Sequence, residues 1–305
     1  MLFNRVAIIG LGLIGSSLAR AITKQGLAKE TIGFDTSADV MSRALTINVV
    51  DRCADSLAEA ISDADFIIVS APVKASAAIV ADIASSARPE AIVIDVGSVK
   101  GHFVDAARAS DKCLVVPCHP ISGTEQSGPE AGFATLFENR WCIITPLERG
   151  DEPYKAAVAK TADFWRAIGS DVEIMDAAHH DLALAVTSHL PHLIAFTLVG
   201  AADDLEAVTE AEVVKYSAGG FRDFTRIAAS DPVMWRDVFV TNKDAVLEVL
   251  GRFTEELALL QRAIRWGDEE TLEKAFARGR TLRRAIVDAG QETDAPNFGR
   301  DQENE

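Results

Sequence analysis

Up to Pro146 the chain alternates between short apolar runs and longer segments with helical spacing. The runs are rich in β-branched residues and too continuously apolar for strands with one face in water. Such runs are typical of parallel strands that helices cover on both faces. The predicted strands are residues 5–9, 31–34, 65–70, 91–96, 114–118 and 141–145. The pattern predicts an α/β domain built on a mostly parallel, doubly wound sheet.

After Pro146 and the polar stretch 147–153, the pattern changes to long segments rich in Ala and Leu. Helical spacing predicts helices over residues 176–202, 232–266 and 268–289, with a strand at 171–175. Helices this long need a surface on which to bury their apolar faces, so we expect a homodimer. The predicted domains are 1–147 (α/β), 148–290 (all-α, substrate binding and dimerisation) and 291–305 (an acidic, disordered tail).

Composition and charge narrow the possible partners. The chain has 305 residues, 48% of them hydrophobic, as in ordinary globular proteins. Its 46 acidic residues against 30 Lys and Arg give a net charge of −16. This charge repels nucleic-acid phosphates and anionic lipids, so neither nucleic acid nor membrane is expected as a partner. An anionic substrate would need a local cationic pocket.

We also expect a cytoplasmic protein with reduced thiols. The apolar run 6–9 ends at glycines, and the strongly apolar stretch 193–202 is far shorter than the ~20 residues of a membrane span. Four cysteines, all in the first half, show neither CxxC nor Cys/His ligand spacing. No metal site and no disulfide are therefore predicted. The cysteines are Cys53, Cys113, Cys118 and Cys142.

A glycine-rich segment follows the first predicted strand and opens a helix. Its sequence is Gly10-Leu11-Gly12-Leu13-Ile14-Gly15, and Asp35 ends the next strand twenty residues after Gly15. This combination is typical of a dinucleotide site, with the pyrophosphate at the helix N-terminus beside Leu13 and Ile14. Asp35 can accept hydrogen bonds from a ribose diol and would repel a 2′-phosphate, which favours NAD over NADP. A glycine turn without ligand, and Asp35 as a helix cap, are the alternatives.

Three polar loops follow predicted strands, at the edge of the sheet where ligands bind in α/β proteins. Ser70 and Pro72 lie in the first loop and Ser98 in the second. His119 begins the third, where a neutral imidazole could take a proton from a substrate hydroxyl. The alternative is a loop histidine that is bonded to the backbone.

The helical half contains a histidine pair and an arginine cluster. The segment 187–192, Thr-Ser-His-Leu-Pro-His, interrupts a long apolar helical pattern. Arg222, Arg226 and Arg236 lie close together in sequence and could bind a carboxylate in a bidentate manner. The alternative is a set of structural pairs with Asp223, Asp231 and Asp237.

On the basis of these motifs, the sequence resembles the prephenate/arogenate (cyclohexadienyl) dehydrogenase family of tyrosine biosynthesis. The motifs are, in order, GLGLIGSSLA, DVGSVKG, HPISGTEQSG, SHLPH and GGFRDFTRIAASDPVMWRD, and they span residues from about 5 to 290. The resemblance implies a Rossmann domain followed by an intertwined helical dimerisation domain. It also implies an active site in the cleft between them and a dianionic or zwitterionic cyclohexadienyl substrate.

The same resemblance implies roles for individual residues. His119 matches the catalytic histidine that accepts the proton of the ring hydroxyl, and Ser98 matches the serine bonded to that hydroxyl and histidine. Arg226 matches the arginine that binds the ring carboxylate lost as CO₂. His192 resembles the histidine facing the substrate side chain, and Glu125 an acidic residue that controls access.

Two other functions are compatible with parts of the pattern. A dehydrogenase of the β-hydroxyacid type also joins a Rossmann domain to helices, but it would use a lysine base such as Lys215 or Lys243 and would give His119 no role. A catalytically silent, NAD-sensing or scaffolding dimer would bind NAD without turnover. The sequence leaves open whether prephenate or arogenate is preferred.

Overall fold

The computed structural model describes residues 1–108, 113–124, 126–209, 215 and 218–288. The chain forms a first compact unit, Met1–Leu247, and a second unit that begins at Glu248. The first unit contains an eight-stranded sheet, and the second consists of helix in its described part. The prediction of an α/β Rossmann-type domain followed by helices is confirmed.

The sheet has the strand order β3-β2-β1-β4-β5-β6-β7-β8. Strands β1 to β6 are parallel, whereas β7 runs antiparallel to β6 and parallel to β8. The strands are β1 Phe3–Ile9, β2 Ala28–Phe34, β3 Arg52–Cys53, β4 Phe66–Val69, β5 Ile92–Asp95, β6 Leu114–Pro120, β7 Trp141–Ile144 and β8 Asp171–Ile174. All the predicted strands are present. Strand β3 was not predicted because two residues show no periodicity.

Helices cover this sheet because its strands are apolar on both faces. They are α1 Leu13–Lys24, α2 Ala38–Thr46, α3 Leu57–Ile61, α4 Val73–Ser86, α5 Gly101–Arg108 and α6 Glu152–Ala167, with a short 3₁₀ turn at Pro129–Ala131. Strands β4 and β5 are buried along their whole length. At one end of the core, the Phe3 and Phe66 rings stack with centroids 4.1 Å apart, and Phe164 of α6 contacts both.

The sheet continues beyond residue 147, where the sequence predicted its domain to end. The Tyr154 hydroxyl, on α6, donates to the Val115 carbonyl of β6 at 3.0 Å and accepts from the Leu147 amide at 2.8 Å. Strand β8 then pairs with β7. We therefore propose that the boundary between the two domains lies near Met175, after β8.

Helices make up the rest of the described chain. They are α7 Ala177–Leu184, α8 Leu190–Thr209, α9 Gly219–Thr225, α10 Pro232–Thr241, α11 Lys243–Trp266 and α12 Glu269–Asp288. The segment 187–192, which interrupts the apolar pattern, does not end the helix predicted over residues 176–202. A π-helical turn, Ala185–His189, joins α7 to α8, and Pro191 falls in the first turn of α8. The predicted helix 232–266 divides at Asn242. The predicted disordered tail, 291–305, lies outside the described residues.

By length and hydropathy alone, the helical stretch Ala177–Leu205 could cross a membrane, with a mean hydropathy of 1.7. It nevertheless carries three buried polar side chains, His180, Asp181 and His189. Ionisable groups at the centre of a bilayer are costly unless they are paired within the protein. In this chain they are hydrogen-bonded to other elements of the first unit. The stretch is therefore better explained as the helix that supports the site described next.

Candidate active site

The turn between β1 and α1 is shaped by its glycines. Gly10 has φ +97°, and a Cβ atom there would lie 2.5 Å from the Ser70 carbonyl oxygen. A Cβ on Gly15 would lie 1.9 Å from the Gly10 carbonyl oxygen. A Cβ on Gly12, in contrast, would meet no atom within 4 Å. The protein itself therefore requires the first and third glycines, while the second borders open space.

Asp35 lies beside this turn at the end of β2. Its Oδ2 accepts from the Leu11 amide at 3.0 Å and its Oδ1 from the Ser37 amide at 2.9 Å. The cap of α2 is the Ser37 hydroxyl, which accepts from the Val40 amide, and not Asp35. Each Asp35 oxygen keeps a second acceptor direction. The carboxylate is thus fixed in place and still able to bind a diol.

Two further residues predicted for the cofactor flank the turn. The Ser70 hydroxyl donates to the Gly10 carbonyl at 2.6 Å and so holds the glycine turn against the end of β4. Pro72 is the N-cap of α4 and is exposed. Leu13 and Ile14 open α1, whose N-cap Gly12 provides no capping side chain. An uncapped helix N-terminus beside open space suits a pyrophosphate. The residues present therefore fit a dinucleotide.

His119 occupies the end of β6, with 8% of its surface exposed. Its Nδ1 lies 2.8 Å from Nε2 of His180, and His180 Nδ1 lies 2.8 Å from Oδ1 of Asp181. Asp181 also accepts from the amides of Lys100 and Gly101, each at 2.8 Å. A continuous hydrogen-bonded chain thus connects His119 to a carboxylate on α7.

Sequence reasoning missed both His180 and Asp181. The available signal was a consecutive His-Asp pair within a segment otherwise rich in Ala and Leu. Polar residues at such positions are mostly exposed, so the pattern alone favoured a surface location. The structure buries them because α7 packs against the N-terminus of α5.

A buried ion pair lies beneath the same strand end. Lys100 contacts the Asp95 carboxylate, and its Nζ also donates to the Cys118 carbonyl at 2.6 Å. Asp95 accepts from the amides of Gly97 and Cys118 at 3.0 and 3.2 Å. Burial raises the pKa of Asp95, and Lys100 with the two amides opposes that rise. The pair fixes the backbone immediately before His119. It too was missed, although both residues lie in the DVGSVKG motif.

The surroundings of His119 favour its neutral form. Burial lowers its pKa well below 6.5, and the neighbouring His180, Lys100 and His189 lower it further. Burial also lowers the pKa of His180, although Asp181 opposes this. For Asp181, burial would raise the pKa, but hydrogen bonds from His180 and two amides outweigh it, so the pKa is lowered. At neutral pH the two imidazoles are therefore uncharged and the carboxylate is ionised.

His192 and Arg226 lie near each other on the helical side. The His192 ring stacks on Trp235 with centroids 3.7 Å apart, and its Nδ1 donates to the Ser188 carbonyl at 2.9 Å. Burial lowers the pKa of His192, and the charge of Arg226 contributes to the same direction. Arg226 begins a 3₁₀ turn after α9 and is exposed. A cation and a neutral imidazole thus lie near each other on this side.

The other two arginines of the cluster differ in their surroundings. Arg236 pairs with Asp237 at 2.7 Å, which supports the structural alternative for that residue. Asp231 caps α10 by accepting from the amides of Val233 and Met234. Arg222 is exposed on α9.

Two predicted residues are not joined to His119. Ser98 is half-buried in the loop after β5, and no hydrogen bond in the described part of the chain connects it to His119. Glu125 lies outside the described residues. Among the residues that the structure describes, no group of three or more His, Cys, Asp or Glu could hold a metal ion.

Comparisons with known proteins agree on one family. Residues 18–174 match the family model "Prephenate dehydrogenase, nucleotide-binding domain", and residues 176–278 match "Prephenate dehydrogenase, dimerization domain". A cyclohexadienyl dehydrogenase of Zymomonas mobilis is 40% identical over 93% of this chain and 96% of its own length. A prephenate dehydrogenase of Bacillus subtilis is 34% identical over 92% of this chain and 75% of its own length.

The structural comparison points the same way. The crystal structure of prephenate dehydrogenase from A. aeolicus, in complex with hydroxyphenyl propionate and NAD+, has a TM-score of 0.86 and 33% identity. The match covers 93% of this chain and 98% of that one. The fold, the glycine turn and both family models therefore lead to the same conclusion: this chain belongs to the prephenate dehydrogenase family.

Proposed function

We propose that this protein is an NAD-dependent dehydrogenase that oxidatively decarboxylates prephenate or arogenate. The observation that carries the proposal is the buried, neutral His119 at the carboxyl end of β6. It lies in the same sheet as the glycine turn and Asp35, at the edge where α/β proteins bind ligands. A neutral imidazole in this position suits proton abstraction from a hydroxyl.

The reaction needs a hydride acceptor, a base and a carboxylate site. NAD, when bound, supplies the hydride acceptor. His119 takes the proton from the hydroxyl at ring carbon C4 as that carbon loses its hydride and becomes a carbonyl carbon. The C1 carboxylate then leaves as CO₂, and its electron pair completes the aromatic ring. His119 returns the proton to the resulting phenolate, so the reaction needs no other proton source.

Arg226 and His192 are proposed to bind the two ends of the substrate. The guanidinium of Arg226 would hold the ring carboxylate in a bidentate manner until it leaves. His192 would face the side chain, where prephenate carries a keto group and arogenate an amino group. Ser98 is proposed to bond the reacting hydroxyl once substrate is present, and Glu125 to control access.

We further propose a cytoplasmic homodimer. The family model over residues 176–278 is a dimerization domain. In the described chain, large apolar side chains of α10, α11 and α12 are exposed, including Val233, Val240, Leu257, Trp266 and Phe276. Exposed apolar side chains in this number are typical of a surface that another protein covers.

A steady-state assay tests the activity. Purified protein is given prephenate or arogenate with NAD or NADP, and NADH formation is followed together with CO₂ release. We expect turnover with at least one substrate and a kcat/KM at least about tenfold higher with NAD than with NADP, because Asp35 repels a 2′-phosphate. Absence of turnover with both substrates would refute the proposed function, and equal use of NAD and NADP would refute the role of Asp35.

His119→Asn tests the base. We expect kcat to fall by roughly 10²–10⁴ with nearly unchanged affinity for NAD, because the amide cannot accept the proton. His102→Asn, at an exposed histidine on α5, is the matched control and should keep its activity. A His119 variant that retains most of its kcat would remove this residue from the mechanism.

A further inference from the structure

We propose that His180 and Asp181 are positioning residues that hold His119 in the tautomer with its proton on Nδ1 and a bare Nε2. The catalytic part of this inference rests on the function proposed above. Of the three residues His119, His180 and Asp181, only His119 is assigned to contact with the reacting atoms. The role of the other two would be to decide which ring nitrogen of His119 is the base.

The carboxylate of Asp181 fixes which atoms donate and which accept in the hydrogen bonds between His119, His180 and Asp181. Both carboxylate oxygens accept backbone amides, Oδ1 from Lys100 and Oδ2 from Gly101. Amides cannot accept, so the carboxylate at this position acts as an acceptor. Its ionised form is the form that these hydrogen bonds favour. The remaining contact, from His180 Nδ1 at 2.8 Å, must therefore be a donated hydrogen bond.

The hydrogen bond to Asp181 also fixes the proton positions on the two rings. A neutral imidazole carries one N–H and one bare nitrogen. Because His180 uses its proton on Nδ1, its Nε2 is bare and must accept from His119 Nδ1 at 2.8 Å. His119 then has its own proton on Nδ1, which leaves Nε2 as the only ring nitrogen that can take a proton. An unconstrained histidine would divide between the two tautomers.

Lysine and histidine neighbours oppose a charge on either ring, whereas two carboxylates, Asp95 and Asp181, favour a charge on His180. Lys100 faces both rings from the loop before α5, and His189 faces them from the π-helical turn. Asp95 is compensated by Lys100. Beside Asp181 a charge is favoured: when His119 Nε2 takes the substrate proton, the Nδ1 proton can shift to His180 Nε2. The positive charge would then lie beside the carboxylate, and the proton would return by the reverse path.

Asn242, at the end of α10, stabilises the position of His180 and Asp181. The Asn242 side-chain amide donates to the Asp181 backbone carbonyl at 2.9 Å and lies 3.1 Å from His189 Nδ1. This contact links the end of α10 to α7 and fixes the backbone that carries the His-Asp pair. It explains why two adjacent polar residues of a helix can be held in one geometry in the interior.

Nitrogen NMR of ligand-free protein tests the tautomer directly. The chain has six histidines, so ¹⁵N-histidine labelling gives few signals, and single variants assign them. We expect a protonated Nδ1 and a bare Nε2 on both His119 and His180 near pH 7. A protonated Nε2 on His119 would overturn the proposal. Because no substrate is needed, this result is independent of whether the protein turns over prephenate or arogenate.

Variants test the consequence for the reaction. Asp181→Asn should lower kcat by roughly 10²-fold with little change in KM, as for loss of a residue that orients a base. Its pH profile should also change: without the carboxylate, protonation of the His pair is less favourable, so the acidic limb of kcat moves to lower pH. His180→Gln should lower kcat similarly and let the His119 tautomers mix.

The control is His179→Gln, a substitution at the exposed neighbour of His180 on α7, which should leave kcat, pH profile and tautomer unchanged. Thermal unfolding and NAD affinity are measured for each variant. A purely structural role predicts a lower active fraction with an unmoved acidic limb, and that result would overturn the proposal. If a variant fails to fold, the tautomer measured in the unmodified protein still decides.

Discussion

At the scale of single residues, His119 depends on partners that come from different segments of the chain. Its ring nitrogen contacts His180, its preceding carbonyl accepts from Lys100, and its low exposure removes water that would stabilise the imidazolium. Each contact acts on the free-energy difference between neutral and charged imidazole. The charge state of this histidine is therefore set by its surroundings as much as by its own chemistry.

The role proposed for Arg226 gives a prediction at the same scale. Since the net charge of −16 provides no long-range attraction for an anion, binding must come from short, directed contacts. Arg226→Ala should raise KM steeply, by about 2–4 kcal/mol of binding free energy. Arg226→Lys should recover only part, because a point charge cannot reproduce the planar guanidinium.

Arg222→Ala, at an exposed arginine on the preceding helix α9, is the matched control for steady-state kinetics. It should leave KM within a few-fold of the parent value. If Arg226→Ala unfolds the protein while residual enzyme keeps its KM, Arg226 is structural. Arg222 then becomes the carboxylate ligand to examine, since Arg236 is already paired with Asp237.

At the scale of secondary-structure elements, the glycines of the β1–α1 turn meet two different requirements: Gly10 is needed for the backbone of the turn, and Gly12 for the approach of NAD. Gly10→Ala places a Cβ against the Ser70 carbonyl at a φ of +97°, so it should destabilise the fold by about 1–3 kcal/mol and weaken NAD binding. Gly12→Ala meets no atom within 4 Å, so it should keep the melting temperature and still weaken NAD binding at least about tenfold. Thermal unfolding and NAD titration of both variants measure the difference, and a Gly12 variant with unchanged affinity would contradict it.

The π-helical turn is a second feature at this scale. A π turn inserts an extra residue into a helix and changes the face on which later side chains lie. Ala185–His189 separates the buried pair on α7 from His192 on α8. Because the π turn joins α7 to α8 without a break, both helices belong to one continuous helical segment, and both contribute polar side chains to the site.

At the scale of the whole molecule, apolar exposure predicts assembly. Trp266 at the end of α11 is 77% exposed, and α12 exposes Phe276 and Leu282. Burying such side chains against a second subunit would remove their apolar surface from water, which favours association. Light scattering at micromolar concentration should give the mass of a homodimer. A monomeric mass would contradict the proposal, and Trp266→Glu should shift the equilibrium toward monomer.

Acid stability is a second property of the whole molecule. Burial lowers the pKa of His119, His180, His189 and His192, with His189 at about 4 against an ordinary value of 6.5. Below pH 6.5 the unfolded chain takes up protons that the folded chain does not, so the stabilising contribution present above pH 6.5 is lost as the pH falls. For His189 the loss between pH 6.5 and 4 is about 3 kcal/mol.

Urea unfolding at fixed protein concentration measures this loss. The midpoint should fall steadily from pH 7 to pH 5, above the range in which ordinary carboxylates titrate. His179→Gln, at an exposed histidine, should leave the slope unchanged. An equal midpoint at pH 7 and pH 5 would show that the buried histidines contribute nothing to the pH dependence.

Features that depend on local chemistry could be predicted from the amino-acid sequence. Strand and helix types followed from apolar periodicity, and the cofactor turn followed from glycine spacing, because both reflect constraints within a few residues. Asp35, His119 and Arg226 could be selected because each is a reactive residue in a motif or at a strand end. Local patterns could not place the end of the first domain, which was predicted at residue 147. Strand β8 joins the sheet by pairing with β7, and a whole helix separates the two strands in sequence.

The side chains that contact His119 could not be predicted from local patterns in the sequence. His180 lies 61 residues from it in sequence, and Asp181 contacts Lys100 across 81 residues. Such contacts depend on how α7 packs against α5, and no local period records that packing. The same holds for burial: a lysine or a His-Asp pair is ordinarily exposed, and only a surrounding set of carbonyls, amides and carboxylates makes the interior favourable for it. The tautomer proposed for His119, and its charge, could therefore not be predicted from the sequence, because they depend on hydrogen bonds between segments that only folding brings together.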